Sequence, residues 1–123
     1  DLSLQDRIFL LGHQNNVFPY ISLSRAIIST SLWEDPGAVM IEAAFCNKTV
    51  ISSDCISGPK EFLMNNKAGY LFKNGNLESI FETFKDYVKE KPEKIHEMKI
   101  LAKKNSRKYS LFSHFIFLKN FLT

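Results

Sequence analysis

The sequence predicts an α/β domain: a parallel sheet with flanking helices. Two observations carry that expectation. Short, β-branched apolar runs alternate along the chain with stretches whose apolar residues recur at spacings of three and four. The apolar residues of each run are consecutive instead of alternating with polar ones, as expected of strands covered on both faces. The 123 residues, 45% of them hydrophobic, suit one domain. Eleven Phe and a net charge of only +3 exclude disorder as the main state. No stretch approaches the roughly 18 uninterrupted apolar residues of a membrane span; the apolar passage 111–122 is broken by Ser113, His114, Lys119 and Asn120. The chain opens on Asp1 with no basic-then-apolar leader, which points to a piece of a longer protein.

The elements follow in order. Residues 7–11, Arg-Ile-Phe-Leu-Leu stopped by Gly12, read as a first buried strand. Asn16 precedes a short helix or turn with Pro19 in its first turn. Residues 26–31 form a second strand, 48–52 a third and 69–72 a fourth. Between the second and third, Asp35 is a natural N-cap and Pro36 a natural first helical residue, opening a helix that runs to Cys46. Gly58-Pro59 starts a short helix ending near Asn65-Asn66. From Leu77, Ile80, Phe81, Phe84 and Val88 line one face of an amphipathic helix, which Lys91-Pro92 breaks. A further helix turns Ile95, Met98 and Ala102 inward, and an aromatic segment from Tyr109 to Leu122 closes the chain. That aromatic tail reads as core more readily than as a membrane anchor.

Several chemistries find no support. Cys46 and Cys55 make neither a disulfide framework nor a zinc site; Cys46, at the end of an apolar run, reads as a small buried hydrophobe. His13, His96 and His114 lack metal-ligand spacing. Neither Cys has an evident base, and no G-x-G-x-x-G is present. From Lys89 to Lys108, eight Lys or Arg stand against three Glu. This excess is either a solvated helix face or an attraction to phosphates or an anionic membrane surface.

Ligands of open α/β sheets sit beyond the carboxyl ends of the strands, so the loops after Leu11, Ser31, Ser52 and Phe72 are the places to search. Glu42 is flanked by 38–41 and 43–45, all apolar, on a helix expected to be buried. A carboxylate there must be paired or hydrogen-bonded. Either it reaches the helix rim and takes a backbone N–H or a Lys, or it accepts hydrogen bonds from two vicinal hydroxyls of a sugar or ribose. Glu34 stands where the N–H groups of the helix N-terminus converge, a favourable place for an anion such as pyrophosphate. It either contacts sugar hydroxyls or a developing positive charge, or simply complements the helix dipole.

Glu34-x7-Glu42, within Ser31-Leu-Trp-Glu-Asp-Pro-Gly-Ala-Val-Met-Ile-Glu-Ala-Ala44, resembles the E-x7-E signature of retaining GT-B glycosyltransferases of family four, the "group 1" class. Phe9-Leu-Leu-Gly12 before it, and Val50-Ile-Ser-Ser-Asp-Cys-Ile-Ser-Gly-Pro-Lys-Glu-Phe-Leu63 and Ala68-Gly-Tyr-Leu-Phe72 after it, follow the family's order. The resemblance covers nearly the whole chain. It implies an incomplete GT-B C-terminal domain with a Rossmann-like sheet, and a parent that moves a sugar from a nucleotide-diphosphate donor to a saccharide or lipid-linked acceptor with retention of configuration. By the same resemblance Glu34 is the catalytic candidate beside the transferred sugar. Asp35, Gly37, Ala38 and Val39 would line the donor sugar and diphosphate, Glu42 would hold the ribose, and His13 and Gln14 would lie near the base. No metal and no cofactor beyond the donor is expected.

Two departures stand out. Where many members carry Glu-Gly-Phe-Gly, this chain has Glu34-Asp-Pro-Gly37, and Pro36 has no N–H to offer. The family domain also begins with two strand–helix units that supply an Arg and a Lys for the diphosphate, and these are absent. The expected strand order 3-2-1-4-5-6 then leaves residues 7–11 without neighbours. The whole chain, 1–123, is thus expected to be the nucleotide-sugar-binding C-terminal domain without its first two units, 77–123 being its C-terminal helices. In that fold the last helix commonly packs across the other domain, which would explain its apolar content. On this reading the isolated chain does not turn over, and an orphan strand favours a homodimer. The setting is cytoplasmic polysaccharide or glycan assembly, with a peripheral contact to the inner face of the membrane left open. The rival is a non-catalytic module that uses the inherited sheet for binding or oligomerisation.

Overall fold

A computed structural model describes residues 4–35 and 37–122. Three strands, β1 (Ala26–Ser29), β2 (Thr49–Ser53) and β3 (Tyr70–Phe72), form a parallel sheet in the order β1-β2-β3. The register pairs Ile28 with Ile51 and Ser53 with Phe72. Six α-helices accompany them: α1 (Phe18–Leu23), α2 (Ala38–Phe45), α3 (Pro59–Phe62), α4 (Leu77–Lys89), α5 (Pro92–Ser106) and α6 (Leu111–Leu122), with a 3-10 turn over Arg107–Tyr109. The fold is the expected α/β sheet with flanking helices, and the three later strands match their predicted positions to within two residues.

The two-residue period of the strands sorts their side chains onto two cores. On one face Ile27, Val50 and Leu71 meet Met40, Ala43 and Ala44 of α2, Phe62 of α3 and Ala102 of α5. On the other, Ile51, Tyr70 and Phe72 pack with Met98, Ile80 and Tyr87. Central β2 is buried along its whole length. Asn105 ties α5 to α3 by donating from Nδ2 to the Phe62 carbonyl at 2.7 Å. Local signals set most boundaries. Asn76 caps α4 by accepting from the Ser79 N–H, Pro59 opens α3, and Pro92 opens α5 where α4 has stopped.

Residues 7–11 do not form a strand. Arg7 and Ile8 donate to the Leu4 carbonyl in a turn, and residues 8–11 run as exposed coil, Leu10 being 96% exposed. A strand needs a ladder partner for its N–H and C=O groups. No described strand pairs with this segment, and its described hydrogen bonds are local ones, the Leu11 carbonyl accepting from Gln14 Nε2. The amphipathic face of α4 is also only partly covered: Ile80 and Tyr87 reach the sheet, whereas Phe81, Phe84 and Val88 remain exposed beyond β1. Cys46 is half-buried, and Cys55 is the buried cysteine. Of the aromatic tail, Tyr109 packs edge-on against Phe62 of the core at 5.7 Å, whereas α6 buries none of its residues within this chain.

Candidate functional site at the carboxyl edge of the sheet

The carboxyl ends of the strands are knitted together by hydroxyls, amides and one carboxylate. Ser53 Oγ donates to the Ser31 carbonyl at 2.5 Å, drawing the loop after β1 toward β2. Trp33 and Ile56 form an isolated parallel bridge further out. Asn74, after β3, donates from Nδ2 to the Leu32 carbonyl and from its backbone N–H to Asp54 Oδ1 at 2.8 Å. Asp54 also meets Lys60 at 3.5 Å. The Asn74 N–H holds the Asp54 carboxyl below its ordinary range against the opposing effect of burial, and the Lys60 charge adds a lesser lowering. Three loops distant in sequence therefore form one rim. The sequence signal for it was modest: hydroxyl and carboxylate residues clustered at strand ends, at 29–31 and 52–54.

Glu34 lies within this rim, half-buried, with Ser29 Oγ donating to its Oε1 over a long 3.4 Å and Ser31 Oγ 3.2 Å from the same hydroxyl. The expected cap at Asp35 is not formed. Asp35 is exposed, and Gly37 is the N-cap of α2, at φ 86° and ψ 72°. Its carbonyl accepts from the N–H groups of Met40 at 3.0 Å and Ile41 at 3.4 Å. Gly37 can take this left-handed conformation because it has no Cβ. An added Cβ would collide with Met40 Cε and stand 3.5 Å from Glu34 Oε2. Pro36, the expected first helical residue with no N–H to offer, lies outside the described residues. No side chain caps α2, so among the described residues the N–H groups of Gly37, Ala38 and Val39 have no protein acceptor. They are the donors a helix N-terminus always leaves over.

Glu42 sits one turn into α2, about 6 Å along the axis from Ala38 at 1.5 Å per residue. It is half-buried, not buried as the apolar flanks predicted. Met40, Ala43 and Ala44 take the inward face, while Ala38, Val39 and Phe45 are exposed beside Glu42. Among the described residues its carboxylate makes no hydrogen bond or ion pair, so neither a Lys nor a backbone N–H occupies it. His13 is exposed. Gln14 bonds within its own segment, donating to the Leu11 carbonyl at 2.7 Å and accepting from the Tyr20 hydroxyl at 3.1 Å. The structure thus gathers Glu34, Gly37, Ala38 and Val39 at the mouth of α2 with Glu42 one turn away, and leaves His13 and Gln14 on a separate coil. Among the described residues no group of three or more His, Cys, Asp or Glu is placed to hold a metal. A cleft of about 510 Å³ opens elsewhere, lined by Tyr70, Asp86, Lys89, Glu90 and Lys94; it touches none of these loops.

An open parallel α/β sheet with its loop cluster at the carboxyl edge is the architecture of nucleotide-binding domains. Residues 1–107 match the model of the family "Glycosyl transferases group 1", and the chain belongs to that family. It is 44% identical over 62 residues to an uncharacterized glycosyltransferase of Methanocaldococcus jannaschii, an alignment covering 50% of this chain and 15% of that protein. To the poly(ribitol-phosphate) alpha-N-acetylglucosaminyltransferase of Staphylococcus aureus it is 34% identical over 77 residues, 63% of this chain and 16% of the relative. The crystal structure of S. aureus TarM in complex with fondaparinux, alpha-GlcNAc-glycerol and UDP superposes with a TM-score of 0.80 at 29% identity, over 95% of this chain and 24% of that one. The chain therefore spans less than a quarter of the length of each of these proteins.

Proposed function

We propose that this chain is the donor-nucleotide-binding part of a glycosyltransferase that moves a hexose-type sugar from a nucleotide-diphosphate donor to a saccharide or lipid-linked acceptor, retaining anomeric configuration. The observation that carries the proposal is the half-buried Glu42 carboxylate, without a partner among the described residues, standing one turn behind three N–H groups that likewise have no acceptor among them. A carboxylate with no protein partner suits two vicinal ribose hydroxyls. The N–H groups of Gly37, Ala38 and Val39, aided by the helix dipole, suit the diphosphate. Glu34, held loosely by Ser29, is placed beside the sugar. As the glycosidic bond to the diphosphate breaks, negative charge grows on the leaving oxygen, and donors already aimed there stabilise it without reorganising. Asp35 would face the sugar, and His13 and Gln14 the base, once the coil carrying them closes toward α2. The chemistry asks for no metal or cofactor beyond the donor, in a cytoplasmic setting.

The loops 30–37 and 54–58 contain no Lys or Arg; at the rim Lys60 is drawn to Asp54, and Lys73 follows β3 in the third loop. A diphosphate needs such charges for tight binding and for departure, so this chain alone does not turn over donor. The reading is tested by calorimetric titration of UDP and GDP into the chain and its Glu42→Ala variant. Binding that is lost in the variant supports the ribose role and identifies the base. Binding that survives intact removes Glu42 from that role. Failure of both nucleotides to bind fits a chain without its diphosphate cations; the titration is then repeated on a chain extended upstream, where failure favours a non-catalytic module.

A further inference from the structure

The corner between α4 and α5 carries charges that its own stability does not call for. α4 ends at Lys89 with Glu90 as its C-cap, and α5 opens at Pro92 with Lys94 in its first turn. The carboxyl end of a helix is the negative pole of its dipole and the amino end the positive one. Asp86, in the last turn of α4, and Glu90, at its cap, are therefore acids at a negative pole, and they repel each other at a spacing of four. Lys94 is a cation at a positive pole. Of the four charges only Lys89 suits its position. They do not neutralise one another either: the ion pairs of the described residues include none of Asp86, Lys89, Glu90 and Lys94.

These four side chains line the cleft of about 510 Å³ between β3, α4 and α5, with Leu71 and Met98 as its apolar wall. That size is common among small-ligand sites. In the strand order 3-2-1-4-5-6 the strands this chain lacks lie beyond β1. The cleft runs along β3, at the opposite edge of the sheet, so those strands do not cover it. A second, independent observation separates it from a group of solvated charges. Tyr70 lines the cleft while only 8% exposed, and its hydroxyl is buried with no hydrogen-bond partner. Such a group has given up its water without replacing it. The carboxylates of Glu90 and Asp86 act on that hydroxyl, so this end of the cleft offers two carboxylates and a phenol oxygen, all acceptors. Glu90 is held in place by its Oε1 accepting from the Lys91 N–H at 3.1 Å, and its other lone pairs stay open.

We propose that this cleft binds a small zwitterion, an ammonium group and a carboxylate on one short carbon chain, as in an amino acid. The ammonium group donates to Asp86, Glu90 and the Tyr70 oxygen. The carboxylate meets Lys89 and Lys94, and the carbon chain lies on Leu71 and Met98. Each misplaced charge then gains a counter-charge. A simple cation would leave both lysines unmatched, and a simple anion would leave both acids so. The cleft shares no residue with the loops of the donor site, so failure of either reading leaves the other standing.

The test is an NMR titration of the isotopically labelled 123-residue chain with 6-aminohexanoate, hexylamine and hexanoate serving as single-charge controls. Saturable shifts are expected at the backbone amides of Tyr70, Asp86, Glu90 and Lys94, with binding about fivefold or more tighter than to either control. Asp86→Asn with Glu90→Gln, and separately Lys94→Gln, should each weaken binding about fivefold or more, and Tyr70→Phe by about as much. In the ligand-free chain the same charge substitutions should raise the urea midpoint, because they take charges away from the wrong helix poles. A merely structural role would lower it. Shifts that do not saturate, equal binding of hexylamine or hexanoate, shifts confined to other parts of the chain, an affinity indifferent to these substitutions, or a lowered urea midpoint would each overturn the proposal.

Discussion

Gly37→Ala tests whether the mouth of α2 is built as described. Two costs arise at once. A non-glycine residue at φ 86° sits in the left-handed region, which costs about 1–2 kcal/mol. The new Cβ also meets the Cε of Met40, which is fully buried and must leave its rotamer, for about 0.5–1.5 kcal/mol. Lower entropy of the unfolded chain returns about 0.4–1 kcal/mol, leaving a net loss of about 1–3 kcal/mol. Gly75→Ala is the control, since Gly75 has φ 71° and nothing within 4 Å of its added Cβ. It bears the backbone cost without the Met40 contact. Urea titration of wild type and both variants at unchanged m reads the difference, and Gly37→Ala should be the less stable variant by about 1 kcal/mol. Equal midpoints for the two variants would refute the packing of Gly37 against Met40. The same variant should weaken UDP binding, because the shift moves the Ala38 and Val39 N–H groups.

Three other perturbations probe the scaffold. The Tyr70 hydroxyl is buried without a partner, and burial first, then the Glu90 charge, pushes its pKa up to about 12. The folded state thus keeps a proton that the unfolded state releases near 10, so stability is full below that pH and falls as pH rises toward 12, by about 2–3 kcal/mol. Tyr70→Phe should abolish that alkaline loss in pH-dependent melting and be neutral or about 1 kcal/mol stabilising at pH 7; marked destabilisation would mean the hydroxyl has a partner. Asp54, with its folded pKa lowered, contributes stability above its ordinary value of 3.8 that disappears as pH falls through the folded value. Melting curves of Asp54→Asn should therefore show a shallower acid loss than wild type, and parallel curves would count against the Asn74 and Lys60 contacts. Asn105→Ala removes the donor to the Phe62 carbonyl and leaves a buried acceptor bare, an expected loss of about 1–3 kcal/mol by urea titration.

How far the sequence was legible depended on the range of the forces involved. β2 and β3 could be read because their consecutive β-branched or aromatic residues, Val50-Ile51 and Tyr70-Leu-Phe72, have to be covered on both faces. Pro59 and Pro92 could be read as helix starts because the missing N–H acts locally. Residues 7–11 carry the same strand signal and still run as coil, since composition cannot supply a pairing partner. Asp35 has the right chemistry for a cap, but the chain enters α2 through the left-handed Gly37 instead. The rim contacts of Ser53, Asp54 and Asn74 were not legible, because they join residues about 20 or more apart in sequence whose proximity exists only after the strands align.

For the site, the spacing from Glu34 to Glu42 and the motifs around it sufficed to indicate the family, because those motifs stand in one order along the chain, Glu34 in the loop before α2 and Glu42 on the helix itself. Tertiary structure alone decided the exposure of Glu42. The inward face of α2 is taken by Met40, Ala43 and Ala44 against the sheet, which leaves the carboxylate on the open side among Ala38, Val39 and Phe45. It also decided that α6, apolar enough to have been core, stays uncovered. An apolar side chain states a preference for burial through its own chemistry, but whether a surface arrives to bury it is settled by the packing of the rest of the chain.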